Sequence, residues 1–330
     1  MPGLFDPITI NGLTLKNRIV MPPMANHIAN DDGDVAEKHI HHYAARARAR
    51  VGLIIVEHAY VQKSGRAGDF QLGIHDDARV PGLCRLAEAI RAGGSASGIQ
   101  ITHAGSKTTR AVVGRQPAAP SDVTDLTSSE TPRALTADEI RALVDAYADG
   151  ARRAAEAGFN VIELHGAHGY LLGQFLSPLT NRRTDRYGGD LNGRLTFARE
   201  VIGAVRNEVG KRFPLFYRLG ADDYTPGGLT PEDGRQAAVY LVEAGIDCID
   251  VSGGLIGTGR DRFTEQGFFV PLAEGIKRAA NIPVIGVGNI RDADYADLVV
   301  REGRIDLVAI GRALLKDPDW AEKAAQALGI

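Results

Sequence analysis

The sequence predicts a (β/α)₈ barrel, the TIM-barrel fold, and three observations predict it. Eight short apolar runs rich in β-branched residues recur along 330 residues. Most are followed by a segment whose apolar residues return at helical spacing. Strand–helix alternation repeated eight times is the pattern of a closed parallel barrel, and this chain length is ordinary for one. A doubly wound open sheet is the competing arrangement, but it carries a glycine-rich dinucleotide turn after its first strand, where this chain has "MPPMAN". A single domain, residues 1–330, is expected, without linker, low-complexity segment or repeat beyond the βα unit.

The elements follow in order. "ITINGLTLKNR" alternates about Asn11-Gly12, a type I′ hairpin signal, and such a hairpin caps the bottom of the barrel. "RIVMPP" is the first strand, with a helix over 35–50. "GLIIVEHA" is the second, with a helix over 80–92. "GIQITHAG" is the third, and its helix over 136–157 opens "TADE", where Thr136 caps and Glu139 reaches back in a capping box. "NVIELHG" is fourth, with a helix over 191–209. "PLFYRLG" is fifth, followed by a helix over 231–244 that opens "TPEDG". "IDCIDVSGG", "IPVIGVGN" and "IDLVAIGR" complete the set, with helices over 271–280, 292–302 and 319–328. Two connections, 103–135 after strand three and 170–190 after strand four, are long loops that exceed what a turn needs. Both leave C-terminal strand ends, the face that carries barrel chemistry.

Composition narrows the function classes. Hydrophobic residues make up 44% and charged residues 24%, an ordinary globular balance. A formal net charge of -3 gives no support to a nucleic-acid or membrane partner, and "YAARARARVG" is read as a solvated helix face. No stretch reaches transmembrane length, and "MPGLFDPITING" lacks the basic region and apolar core of a signal peptide, so a cytoplasmic location is expected. A homo-oligomer is compatible with this composition. The two cysteines, Cys84 in a helix and Cys248 in a strand, are too few for a cysteine-ligated iron–sulfur cluster or a four-cysteine zinc site.

Polar residues gather at the predicted C-terminal strand ends: Glu57 and His58, Gln100 and His103, His165 and His168, Arg218, Gly253-Gly254, residues 286–289, and Gly311-Arg312. One such residue is more often a satisfied core group than a ligand, but their convergence on one face points to a site. Glycines after strands seven and eight suit a phosphate cradle of backbone N–H groups completed by Arg312, although each glycine alone could simply make a tight turn. "HGAHGY" sets His165, His168 and Tyr170 close together. Paired histidines invite a zinc reading, but no third ligand is evident, Glu163 is expected to point away from His165, and no metal is expected. The alternative is a pair of N–H donors holding a carbonyl or anionic oxygen, with Tyr170 as proton donor.

"LKNRIVMPPM", "GIQITHAG", "HGAHGYLLGQFLSPLTNRRTDRYGG", "PLFYRLGADD" and "AIGRALL" together resemble signatures of the old yellow enzyme family, the FMN-dependent ene-reductases, in order and over nearly the full length. The similarity is strongest to the bacterial short-chain branch and to the N-terminal half of dienoyl-CoA reductases. The resemblance implies bound FMN, NADPH or NADH as reductant, and a small-molecule activated alkene as substrate. It implies that Pro22, Pro23, Met24 and Ala25 line the flavin edge, that Gln100 bonds its pyrimidine ring and that Arg218 lies by N1–O2. It further implies that His58 touches the flavin, that Gly288, Gly311 and Arg312 hold the phosphate, and that His165 and His168 grip the substrate oxygen while Tyr170 protonates Cα. Three departures from the family stand out. Ala25 replaces a cysteine or threonine beside the flavin, His27 replaces a substrate-facing tyrosine, and the chain ends at Ile330 without an arginine-bearing tail. A component of a dienoyl-CoA reductase or amine dehydrogenase-like system and a non-catalytic flavin-binding barrel are the alternatives. The first two need a cluster for which two cysteines are too few, and the last does not need the His–His–Tyr set.

Overall fold

The computed structural model describes residues 2–124, 130–255 and 264–330. A hairpin of β1 (Ile8–Ile10) and β2 (Leu13–Leu15) comes first, turning through Asn11 and Gly12 at φ of 44° and 82°, the left-handed pair a type I′ turn requires. Asn11 Nδ2 donates to Lys211 O and to Asp247 Oδ2, each at 2.9 Å. Both acceptors precede barrel strands, so the hairpin sits at the N-terminal end of the barrel. Ile10 and Leu15 pack there with Val20, Leu53, Phe216 and Leu307.

The strands after the hairpin are β3 (Ile19–Met21), β4 (Leu53–Tyr60), β5 (Ala96–Thr102), the short β6 (Ala118–Ala119) and β7 (Arg133–Ala134), β8 (Val161–Gly166), β9 (Leu215–Gly220), β10 (Cys248–Ser252), β11 (Val284–Gly286) and β12 (Leu307–Ala309). Eight of them form one closed parallel barrel, in the order β3-β4-β5-β8-β9-β10-β11-β12, closed by Val308 beside Ile19. The helices are α1 (Glu37–Arg48), α2 (Val80–Ala92), α3 (Arg110–Val113), α4 (Ala137–Glu156), α5 (Leu171–Leu176), α6 (Leu191–Arg194), α7 (Thr196–Val209), α8 (Pro231–Ala244), α9 (Val270–Ala280), α10 (Ala293–Arg301), α11 (Arg312–Lys316) and α12 (Trp320–Ala327). The capping box of α4 forms, with Glu139 N donating to Thr136 Oγ1 at 3.2 Å and Thr136 N to Glu139 Oε2 at 2.9 Å. Among the described residues no helix is long and apolar enough to cross a membrane.

The structure corrects several expectations. The long connection after the third barrel strand carries α3 and the β6–β7 pair, and the one after the fourth carries α5. The helix expected over 191–209 is two, α6 and α7, divided at Leu195. Arg46 is not solvated. It is buried and donates to the Leu314 and Leu315 carbonyls at 3.0 and 3.4 Å, tying α1 to α11. Glu163 does not point away from His165. Residues two apart share a face of a strand, and both lie buried on the barrel side of β8, while Ile162 and Leu164 face the helices.

Strand alternation also breaks at one informative place. Leu53 and Ile55 of β4 face the barrel axis, yet Ala59 packs in the helix-facing shell. The pairing of β4 with β5 shifts register between Val56 and Ala59. Such a bulge re-aims the residues around it. Glu57 turns toward α1 and His58 toward the top of the barrel.

Candidate active site

Backbone shape brings the "HGAHGY" side chains together. His168 and Gly169 adopt φ of 58° and 73°, and Tyr170 N donates to Ala167 O at 3.1 Å, closing a tight turn. A Cβ at Gly166 would lie 2.2 Å from Tyr217 Oη, so glycine there is a packing requirement. The result is a compact ring cluster: His165 lies 5.2 Å from His168, 4.6 Å from Tyr170 and 6.1 Å from His58, centroid to centroid.

Hydrogen bonds define what these rings offer. Ala167 N donates to His165 Nδ1 at 3.4 Å, which leaves the proton on Nε2. His168 Nε2 lies 2.7 Å from Ser252 Oγ, and Lys107 Nζ donates to His168 O at 2.7 Å while standing 4.8 Å from the Tyr170 ring centroid. His58 Nε2 is 2.8 Å from Tyr170 Oη. Burial holds His165 well below the ordinary histidine range, with the nearby His168 and Arg218 adding to it. Burial and Arg218 do the same to His168, and burial takes His58 down to about 4. Burial also pushes Tyr170 up to about 12. At neutral pH the cluster is therefore a set of neutral imidazole donors beside a protonated phenol.

Beneath it lies a buried polar layer. Gln100 Nε2 donates to Glu163 Oε1 at 2.8 Å, and Arg218 Nε faces Asp250 Oδ2 at 3.4 Å. Burial raises Glu163 well above the carboxylate range, Asp250 adding to the rise and Arg218 opposing it. Burial raises Asp250 as well, again opposed by Arg218. Among the described residues, Arg218 Nε and Glu163 Oε2 make no hydrogen bond.

Next to this layer is a cavity of about 220 Å³ lined by Pro22, Pro23, Met24, Arg218, Gly288, Gly311 and Arg312, with Phe268 and Asn289. Gly288 has φ of 135°, and a Cβ there would meet Phe268 N at 2.8 Å, so the backbone at this wall admits only glycine. Gly311 is less constrained: a Cβ would meet Met24 Sδ at 3.4 Å, an ordinary contact. Arg312 is exposed at the head of α11. Ala25 and His27 stand exposed on the adjoining loop, His27 at φ of 52°. The loop is anchored by Glu57, whose carboxylate accepts from Asn26 N and, at 2.7 Å, from His39 Nε2.

Two strand-end groups serve other purposes. His103 turns into a separate pocket with Gln62, Arg115 and Glu139, and its Nδ1 accepts from Gly105 N at 3.0 Å. A Cβ at Gly254 would lie 2.1 Å from Asp223 Oδ1, so that glycine makes room for the neighbouring loop rather than for a ligand. Sequence reasoning did not single out Lys107, Ser252 or Gln71. Lys107 sits in the long loop after strand three and Ser252 at a strand end, positions that signal them; Gln71 gives no such signal.

The chain matches the NADH:flavin oxidoreductase / NADH oxidase family over residues 3–329. It is 47% identical to an NADPH dehydrogenase of Geobacillus thermodenitrificans, covering 99% of this chain and 95% of that protein. It is 46% identical to an NADH oxidase of Thermoanaerobacter brockii over 98% of this chain, and spans 51% of that longer protein's length. Among solved structures, an old yellow enzyme homologue from Zymomonas mobilis superposes with a TM-score of 0.87 at 30% identity, covering 99% of this chain and 93% of its own. The closed barrel, its N-terminal hairpin and these similarities agree with the resemblance read in the motifs: the chain belongs to the NADH:flavin oxidoreductase (old yellow enzyme) family, and it is an NAD(P)H-using flavin oxidoreductase.

Proposed function

We propose that this enzyme binds FMN and uses NADPH or NADH to reduce activated C=C bonds, as in enones, enals, maleimides and nitroalkenes. The observation that carries this reading is the neutral His165–His168–Tyr170 cluster, joined through Arg218 to the cavity at the ends of β3, β11 and β12. The residues present fit FMN. Gly288, Gly311 and Arg312 suit its phosphate, Arg218 and Gln100 its polar ring edge, and Pro22, Pro23, Met24 and Ala25 its other edge, while the strand that bears His58 runs alongside. When bound, FMN supplies hydride to the alkene β carbon, chemistry that belongs to the cofactor.

The chain's own residues do the rest. His165 donates from Nε2 and His168 stands beside it, so the two hold the electron-withdrawing oxygen and stabilise the charge that develops there. Their lowered pKa values keep them neutral donors. Tyr170 delivers a proton to the α carbon. Lys107 holds the His168 backbone and faces the Tyr170 ring, fixing the cluster, and His27 is the loop residue we propose to meet the substrate.

The test is a substitution. Losing a donor to a developing oxyanion costs about a hundredfold or more in rate, so His165→Ala should slow enone reduction by that factor while reduction of the flavin by NADPH changes less. Equal slowing of both half-reactions would count against the assignment. The shorter span relative to the Thermoanaerobacter brockii protein supports a second reading, a flavin-binding unit of a larger enzyme. Turnover by this chain alone distinguishes the two.

A further inference from the structure

We infer that Gln71 and His58 form a positioning pair that aims the Tyr170 proton at the substrate. The inference rests on the reading of Tyr170 as the proton donor and adds how that proton is presented.

Gln71 is buried with every polar contact assigned. Its Oε1 accepts from Ala67 N at 2.7 Å, and its Nε2 donates to His58 O at 3.0 Å. A backbone N–H on one side and a backbone carbonyl on the other fix which amide atom is which. The second hydrogen of Nε2 then points at His58 Nδ1, 3.0 Å away. His58 Nδ1 must accept, so the proton of the neutral ring sits on Nε2. Nε2 is 2.8 Å from Tyr170 Oη and donates to it.

The direction of that last bond matters. A phenol oxygen that accepts from His58 keeps its own O–H free to point away from His58, and the Tyr170 ring itself packs against that of His165, 4.6 Å away between centroids. With the other tautomer, the phenol would donate to His58 and its proton would be held away from the substrate. The His58 donor also stabilises the phenolate left after proton transfer, opposing the burial that raises Tyr170. His58 cannot relay a proton onward, because Gln71 caps its Nδ1. Tyr170 is reprotonated from solvent.

The experiment compares each FMN-loaded variant on two substrates, 2-cyclohexenone, whose product needs assisted protonation, and a nitroalkene, whose product does not. Their rate ratio cancels differences in folded or loaded fraction. His58→Leu and Gln71→Leu should lower the cyclohexenone-to-nitroalkene ratio about tenfold or more, the factor for one lost bond to a charged group. His58→Gln, which keeps an N–H of similar reach, should restore most of it. In the Tyr170→Phe background, His58→Leu should change the ratio no further. Histidine ¹⁵N NMR of the wild type provides a reading independent of turnover, with protonated Nε2 and unprotonated Nδ1 expected at neutral pH. A ratio unchanged in His58→Leu and Gln71→Leu but lowered in Tyr170→Phe overturns the pair and leaves the Tyr170 assignment standing, as does an Nδ1-protonated His58. A ratio unchanged in Tyr170→Phe removes the proton donor, and the inference with it.

Discussion

Ala25 shows how one side chain's absence propagates. In the proposed complex it offers no hydrogen bond to flavin O4, at the position where the family resemblance implies cysteine or threonine. His58 cannot compensate, because Gln71 occupies its Nδ1 and Tyr170 its Nε2. A donor to the electron-rich reduced ring favours that state, and a hydrogen bond to a charged group is worth about 1.5–3 kcal/mol. For a two-electron couple that is about 30–60 mV. Ala25→Thr should therefore raise the flavin midpoint potential by about that amount, measured by spectroelectrochemistry, and slow hydride delivery to weak acceptors. A potential that stays level or falls would mean that O4 already has its partner.

The loop between β3 and α1 displays Ala25 and His27; Ala29 N donates to Phe70 O at 3.0 Å farther along it, and a buried carboxylate holds the stretch at Asn26. Glu57 accepts from Asn26 N and from His39 Nε2, whose Nδ1 in turn accepts from Ala36 N at 3.1 Å, while Glu57 N donates to Tyr43 Oη at 3.0 Å. Glu57→Gln puts an amide N–H against one of two N–H donors. A buried donor without its acceptor costs about 1–3 kcal/mol, so the urea midpoint should fall by the equivalent of about 2 kcal/mol and FMN affinity should weaken with it. An unaltered midpoint and affinity would show that the loop is held by other contacts. This element also marks how far the sequence could be read. The eight strands, the hairpin at Asn11-Gly12 and the Thr136 capping box were legible because each has a local pattern of alternation, turn residues or caps. The His165, His168 and Tyr170 cluster was legible because one turn carries it. The bulge at Glu57 and His58 was not, since an extra residue in β4 depends on pairing with β5. Gln71 was not, since its bond to His58 forms only when the loop after β4 folds back against that strand. Glu163 shares the barrel-side face of β8 with His165, two residues away, as the period of a strand dictates.

Across the whole molecule, the buried histidines outnumber the buried carboxylates Glu163, Asp250 and Asp223, which are raised and act in the opposite sense, so the histidines lead the pH response. His58, His42 and His75 are held down to about 4 and His103 to about 3, each chiefly by burial. Unfolded histidines titrate near 6.5, so below that pH the unfolded chain binds more protons than the native one, and stability rises with pH. The contribution is complete above about pH 6.5 and is lost as pH falls toward 4, by up to ~1.4 kcal/mol per pH unit for the buried His58 and His103 and by less for the half-buried His42 and His75, which solvent screens. The denaturation midpoint should be level above neutrality and fall steeply between about pH 6 and 4; a midpoint that rises on acidification would contradict the neutral, buried state of these rings. That state is also what the proposed chemistry requires of His165 and His168. The most direct measurement of the central claim is an oxygen-free reaction of the FMN-loaded protein with NADPH and 2-cyclohexenone, followed by product analysis. The expected result is cyclohexanone in amounts equal to the NADPH consumed. Flavin that NADPH reduces but that yields no saturated product from the enone, a maleimide or a nitroalkene would contradict it.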